Sequence, residues 1–200
     1  MILPGEHVPT ADQRVVLRGV PWSRYEVELA LRGETAVPRL TYLEGALELM
    51  SPSKDHERLA SYIGRLVEVF ADETGLDLSP YRSWTLKSGP SQAGSEPDEC
   101  YIVGADQSKD VPDLVIEVVW TSGGLDKLEI YRRLGVREVW FWIDGALQAH
   151  VLGSDGYVRG ARSVVLPGLD ICLVSAFLDR HTVQSAKRDF RAALLASLSR

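Results

Sequence analysis

Two hundred residues, 45% apolar and 25% charged, are enough for one domain with its own buried core. Two cysteines, no apolar run of membrane-spanning length and no signal-peptide pattern at Met1-Ile2-Leu3-Pro4-Gly5 exclude a disulfide scaffold and a membrane protein. A net charge of −6 excludes a chain coated in positive charge that holds nucleic acid by bulk attraction, and a cytoplasmic location is the default expectation.

Residues 1–21 carry Pro4, Gly5, Pro9 and Pro21 and read as an irregular lead-in. Residues 23–32 read as a short helix, with Ser23 as candidate cap and Gly33 as stop. Strands at 39–43 and 46–50 flank Glu44-Gly45, a hairpin signal. Ser51-Pro52-Ser53 opens a long helix. Its Leu59, Ile63, Leu66, Val67 and Phe70 share one face, and Gly75 ends it. Residues 81–86 read as a strand, 87–94 as a loop, 98–103 as a strand and 104–109 as a turn. The apolar run 114–119 has the character of a strand buried on both sheet faces. Gly123-Gly124 leads into a helix that stops at Gly135. Residues 138–143 and 147–152 form strands about Asp144-Gly145, and 157–166 adds edge strands. Residues 176–198 read as a helix with the apolar stripe Val183, Phe190, Leu194 and Leu198. Cys100 and Cys172 both sit in apolar runs and are expected as buried free thiols. The order of elements gives an α/β fold, a mixed β-sheet flanked by helices. Its domain spans 22–180, and 181–200 is a helix packing on that domain or on a partner.

Glu117 is the anomaly of this pattern. It lies inside Leu114-Val115-Ile116-Glu117-Val118, where both sheet faces should be covered. An isolated buried carboxylate costs several kcal/mol and demands a proton, a cationic partner or a metal. Glu48, in Ala46-Leu47-Glu48-Leu49-Met50, and Asp98, after Pro97, have similar surroundings. If adjacent strands bring these three to one face, a divalent cation relieves the crowding, and carboxylate oxygens suit Mg²⁺ or Mn²⁺. Lys127 lies ten residues after Glu117, on the first turn of the next helix. A short loop returns that helix over the strand end. There a lysine can orient or deprotonate a water and offset phosphate charge. Leu128 and Tyr131 are read as packing on the sheet, with Lys127 facing elsewhere and reaching inward along its stem.

Three stretches, in this order and spacing, resemble the bacterial Uma-two family of the PD-(D/E)XK restriction-endonuclease-like superfamily. They are Glu96-Pro97-Asp98, Pro112-Asp113-Leu114-Val115-Ile116-Glu117-Val118 and the segment from Lys127 to Trp140. The segment from Glu44 to Pro52 and the helix after it also match, so the resemblance covers roughly residues 22 to 180. It implies a restriction-endonuclease-like core. The Pro-Asp of the motif falls on Pro97-Asp98, its acidic member on Glu117 and its helical acid on Glu48. Val119 stands where the motif would place its lysine, which is displaced to Lys127. The loop Trp120-Thr121-Ser122-Gly123-Gly124 is shorter than is common in the family.

Plainer readings exist for the neighbours of this set. Asp113 and Glu96 read as strand-start or near-site residues, and His56 as a partly exposed helix histidine. Trp140 and Trp142 read as core. Lys54, Arg58 and Arg65 read as a solvated helix face that could also meet phosphates. The expectation is a Mg²⁺-dependent DNA endonuclease. Asp98 and Glu117 are its metal ligands, Glu48 assists, and Lys127 is catalytic with them. A homodimer would assemble through the C-terminal helix and the strand Trp140–Trp142. The alternatives are a nuclease-fold interaction module that does not cleave, and a metal hydrolase acting on RNA or nucleotides.

Overall fold

The computed structural model describes residues 10–82, 84–119, 124–160 and 162–198. The first nine residues of the expected lead-in and the loop residues 120–123 therefore lie outside the described residues. The chain runs β1 (Gln13–Arg18), α1 (Trp22–Arg32), β2 (Arg39–Leu43), β3 (Ala46–Ser51), α2 (Lys54–Thr74), β4 (Leu78–Pro80), β5 (Leu86–Ser88), β6 (Ala93–Ser95) and β7 (Glu99–Val103). It continues through β8 (Leu114–Val118), α3 (Lys127–Leu134), β9 (Glu138–Ile143), β10 (Ala146–Gly153), β11 (Gly156–Gly160), α4 (Ile171–Ser175) and α5 (Val183–Leu198).

The strands form two sheets rather than the single sheet expected from the sequence. One is antiparallel, in the order β1-β3-β2-β6-β5. The other is mixed, in the order β11-β10-β9-β8-β7-β4, and β8 and β9 are its parallel pair. A parallel pair needs a crossover, and α3 supplies it. On one face of the mixed sheet, Leu114, Ile116 and Val118 of β8 pack with Ile63, Leu66 and Phe70 of α2. On the other, Val115 packs with Tyr131 of α3 and with Phe141. The two hairpins form where the sequence places them. Glu44 and Gly45 have φ of 44° and 85°, Asp144 and Gly145 of 50° and 81°, as two-residue hairpins require. Ser53 caps α2 by accepting from the His56 amide at 3.2 Å, and Gly75 closes it in the left-handed region.

Five expectations are corrected. Residues 13–18 are a strand paired with β3 over six residues, so the chain is not irregular up to 21. The strand expected at 81–86 is replaced by β4 and β5, which belong to different sheets. Residues 176–182 separate α4 from α5. Cys172 is exposed on α4, while Cys100 is buried as expected. The aromatic strand β9 is buried within the chain, so it offers no assembly surface, and α5 turns Phe190 and Leu194 into the core.

Where α2 crosses β7, helix and sheet approach closely. A Cβ on Gly64 would lie 2.8 Å from the Tyr101 hydroxyl and 3.2 Å from Glu99 Cδ. Glu99 is buried here, with the half-exposed Arg82 at 3.2 Å. Burial pushes its carboxyl from the ordinary 4.5 up to about 7, against the pull of Arg82. Between those two values the unfolded chain has released a proton that the folded chain still holds. Stability therefore falls as pH rises through this window, and the penalty persists above it. Glu99→Gln removes the penalty. In metal-free buffer with EDTA its thermal midpoint should exceed the parent's at pH 8 by a few degrees and match it near pH 4.5. A difference that is the same at both pH values would contradict this account.

Candidate active site

Glu117 is the fourth residue of β8 and is 4% exposed. Alternation along the strand puts it on the same face as Val115, beneath α3. Asp126 caps that helix by accepting from the Glu129 amide at 3.0 Å. The first turn then lies over the strand end, and Lys127 reaches down. Its Nζ is 3.0 Å from Glu117 Oε1 and donates to Ser95 Oγ at 2.8 Å. Tyr131 shares a helix face with Lys127, being four residues on. It donates its hydroxyl to the same Glu117 oxygen and lies 3.2 Å from Ser95 Oγ. The expectation that Lys127 and Tyr131 face different ways is thus corrected: both converge on Glu117. Burial, and then the charge of Glu117, push the Tyr131 hydroxyl well above its ordinary range, so it stays a neutral donor. Both bonds use Oε1, and among the described residues nothing donates to Oε2.

Glu48 is 1% exposed. Arg14, diagonal to it on β1, places Nε 3.4 Å from Oε1, and the Leu125 amide donates to Oε2 at 3.0 Å. A Cβ on Gly124 would stand 2.9 Å from that Oε2, so a larger residue there would have to push the Glu48 carboxylate aside. Glu48 therefore pins the approach to α3 as well as lining the site.

Asp98 precedes β7. Its Oδ2 accepts from the Val118 amide at 2.6 Å, one residue beyond Glu117. Its Oδ1 accepts from Arg39 of β2 and lies 2.8 Å from His56 Nε2. The other ring nitrogen of His56 is 3.0 Å from Asp12 Oδ2, and Asp12 also takes the Ser53 amide at 2.8 Å. These bonds and the charge of His56 outweigh burial and hold the Asp12 carboxyl below its usual range. His56 is 1% exposed, which overturns the reading of it as a partly exposed helix residue.

A cavity of about 400 Å³ opens among these groups. Glu48, Glu117, Lys127, Phe141, Gln148 and His150 line it. Asp98 lies behind, bonded to the amide of Val118, which does line it. A larger cleft of about 920 Å³ lies beside α2, against Arg58, Trp142 and His181, and holds none of the four acidic and lysine candidates. Asp113 and Glu96 are structural. Asp113 ties Lys109 and the Val103 amide at 2.6 and 2.8 Å, and Glu96 takes both Arg32 terminal nitrogens, the Leu40 amide and Thr85. Arg58 donates to the Arg180 carbonyl at 2.9 Å and lies over the Tyr62 ring, and Arg65 pairs with Glu68, so the expected basic stripe is largely spent internally.

The donors have the chemistry of a hard divalent cation, since all three are carboxylates. As the side chains stand, each is balanced by an internal cation: Glu48 by Arg14, Asp98 by Arg39, Glu117 by Lys127. Among the described residues no group of three His, Cys, Asp or Glu side chains is already gathered for a metal ion. An incoming ion would compete with those cations for the same oxygens.

Arg14, Asp12, Arg39 and Ser95 are not singled out from the sequence, and His56 and Tyr131 are read there only as a helix histidine and as sheet packing. Tyr131 could have been singled out, because an i, i+4 spacing from Lys127 puts it on the same face. Arg39 and His56 answer a question the sequence does pose, which cation offsets a buried Asp98, but their pairing spans 59 and 42 residues.

Comparison with known proteins bears on the same segment. The family model described as "Uma2: Putative restriction endonuclease" matches residues 22–181. No curated protein matches the sequence. Among solved structures, a crystal structure from Anabaena variabilis ATCC 29413, described as "a putative nuclease belonging to DUF820", superposes with a TM-score of 0.48. It is 14% identical, and the match covers 82% of this chain and 97% of that one.

Because His56 stands between two buried carboxylates, His56→Ala should lower the unfolding free energy by about 3–5 kcal/mol, the cost of leaving a buried charge uncompensated. Urea denaturation checks this. A loss below about 1 kcal/mol, no more than a surface pair is worth, would mean that Arg39 alone holds Asp98.

Proposed function

The chain belongs to the Uma2 family, whose model spans residues 22–181, and from that membership we propose that it is a divalent-metal-dependent endonuclease that hydrolyses DNA phosphodiester bonds in the cytoplasm. The observation that carries this reading is the 3.0 Å contact between Lys127 Nζ and Glu117 Oε1, in a cavity that Glu48 also lines. In this reading the lysine that the motif places on the strand is supplied instead by Lys127 from the next helix.

Asp98 and Glu117 would hold Mg²⁺ or Mn²⁺, with Glu48 as a third carboxylate. Such an ion, when bound, supplies charge stabilisation at the phosphoryl oxygens and a more acidic water. The protein's own contributions follow from the contacts. Ser95 and Tyr131 fix the Lys127 and Glu117 side chains so that neither must reorganise during the reaction. The Lys127 ammonium lies where it can offset charge on the scissile phosphate and take part in proton transfer with the attacking water. Buried Arg39 and His56 hold the Asp98 carboxylate in one orientation.

Plasmid, single-stranded DNA and RNA, each with Mg²⁺, Mn²⁺ or EDTA, test the reading. DNA should be cut with either ion and remain intact with EDTA. Lys127→Ala should slow cleavage by about a hundredfold or more while leaving the fold intact by circular dichroism. Lys127→Arg should rescue poorly, because a guanidinium does not release its proton near neutral pH. Glu117→Ala should be inactive. Parent-like cleavage by Lys127→Ala, or cleavage that EDTA leaves untouched, would overturn the assignment. Binding of DNA without cleavage under every condition would assign a non-cleaving module instead.

We further propose that two copies associate, because a duplex has two strands to cut and two-fold pairs are the commonest oligomers. With β9 buried, the remaining candidate surface is the C-terminal end of α5, where Leu198 is exposed. Light scattering at micromolar concentration should report a dimer, and a monomer would sink this part.

A further inference from the structure

The wall of the cavity opposite Lys127 has a different chemistry from the acidic side. The parallel register of β8 and β9 sets Glu117 opposite Phe141, and the antiparallel register of β9 and β10 sets Phe141 opposite Gln148. Residues opposite one another point to the same face. Glu117, Phe141 and Gln148 therefore form one row across three strands, at steps of about 4.8 Å. His150, two residues further along β10, joins that face. Its ring meets the Phe141 ring edge-on, with centroids 5.6 Å apart. Leu147 and Ala149, between and before them, turn into the core on the other side.

Each polar side chain of the acidic side already has a partner: Glu48 with Leu125, Glu117 with Tyr131, Lys127 with Ser95, Asp126 with Glu129. Gln148 is not. Among the described residues its side-chain amide makes no hydrogen bond, although the residue is half-buried and lines the cavity. Burial lowers the His150 imidazole from its ordinary range, which favours a neutral ring with one donor and one acceptor. A phosphate would call for cations or clustered amides here. An aromatic floor flanked by an uncharged amide and imidazole instead suits a flat, hydrogen-bonding, uncharged group. The cavity volume, about 400 Å³, falls in the range for small-molecule sites.

We propose that Phe141, Gln148 and His150 form a nucleobase subsite, which receives the base next to the phosphate held at Glu117 and Lys127. Gln148 sits two strands from Glu117, about 10 Å, so phosphate and base would lie side by side along the row. The glutamine amide presents a donor beside an acceptor, the pattern that pairs with the N6 and N7 edge of adenine. The subsite rests on the phosphodiesterase reading for its place in the reaction but not for its chemistry.

Titration of the intact protein with 5′-dAMP, 5′-dTMP and deoxyribose 5-phosphate, followed by ¹H–¹⁵N NMR, tests it without cleavage. The expected result is that dAMP moves the amide signals of residues 147–150 and binds at least tenfold more tightly than the sugar phosphate. Gln148→Ala should remove most of that advantage and leave sugar-phosphate binding unchanged. In oligonucleotide cleavage it should raise KM with little change in kcat. Equal binding of dAMP and the sugar phosphate, or shifts confined to other strands, overturns the subsite, as does an unaltered dAMP affinity in Gln148→Ala. Base binding in a protein that cuts nothing keeps the subsite and removes the nuclease reading. Cleavage with no base preference, and no effect of Gln148→Ala, does the reverse.

Discussion

One carboxylate ties three distant parts of the chain together. Asp98 takes the Val118 amide in β8, a guanidinium from β2 and an imidazole from α2. Arg39 belongs to the antiparallel sheet, Val118 to the mixed sheet, and His56 to the helix packed on the mixed sheet. The partners are buried, so water does not compete for these bonds. If that carboxylate were lost, Arg39 would keep Glu57 and His56 would keep Asp12 as acidic partners, but neither would still be tied to the strand β8. The relative placement of the two sheets near the cavity, and hence the position of Glu48 against Glu117, depends on this junction.

The same logic runs through the whole site. Buried acids and buried bases alternate, Asp12 with His56, His56 with Asp98, Asp98 with Arg39, Glu48 with Arg14, Glu117 with Lys127. A net charge of −6 over the chain therefore does not describe the environment of the cavity, which is close to balanced. Such networks contribute little net stability compared with apolar packing. Their value here is geometric, because every member fixes another. A substrate phosphate would meet a lysine whose position is set by a serine and a glutamate rather than one free to wander.

The parts of this arrangement that the sequence reveals are those with a local signature. Glu117 stands out because a charge interrupts a strand that is apolar on both faces. Lys127 is found from its distance to that strand, and both hairpins from dipeptides that need positive φ. What escapes is long-range. Val15 and Leu17 of β1 are about half-exposed, so the strand lacks the pattern of a buried one and is recognisable only through β3. Between Pro80 and Leu86 the chain leaves one sheet for the other, and neither segment says locally which it will join. His56 looks like any polar residue in the first turn of a helix until Asp12 and Asp98, each more than forty residues away along the chain, close on it from either side.

The placement of β1 bears on how this protein can be handled as a gene. The family match begins at residue 22, after the strand has ended. Yet β1 and the residue before it supply Arg14 to Glu48 and Asp12 to His56. An expression fragment started at residue 22 would lose both contacts, leaving Glu48 without Arg14 and His56 without Asp12. It would also bare the length of β3 as an unpaired edge, a template for strand addition between molecules. Such a fragment would look intact by composition and by family assignment, and would be prone to join its neighbours into aggregates.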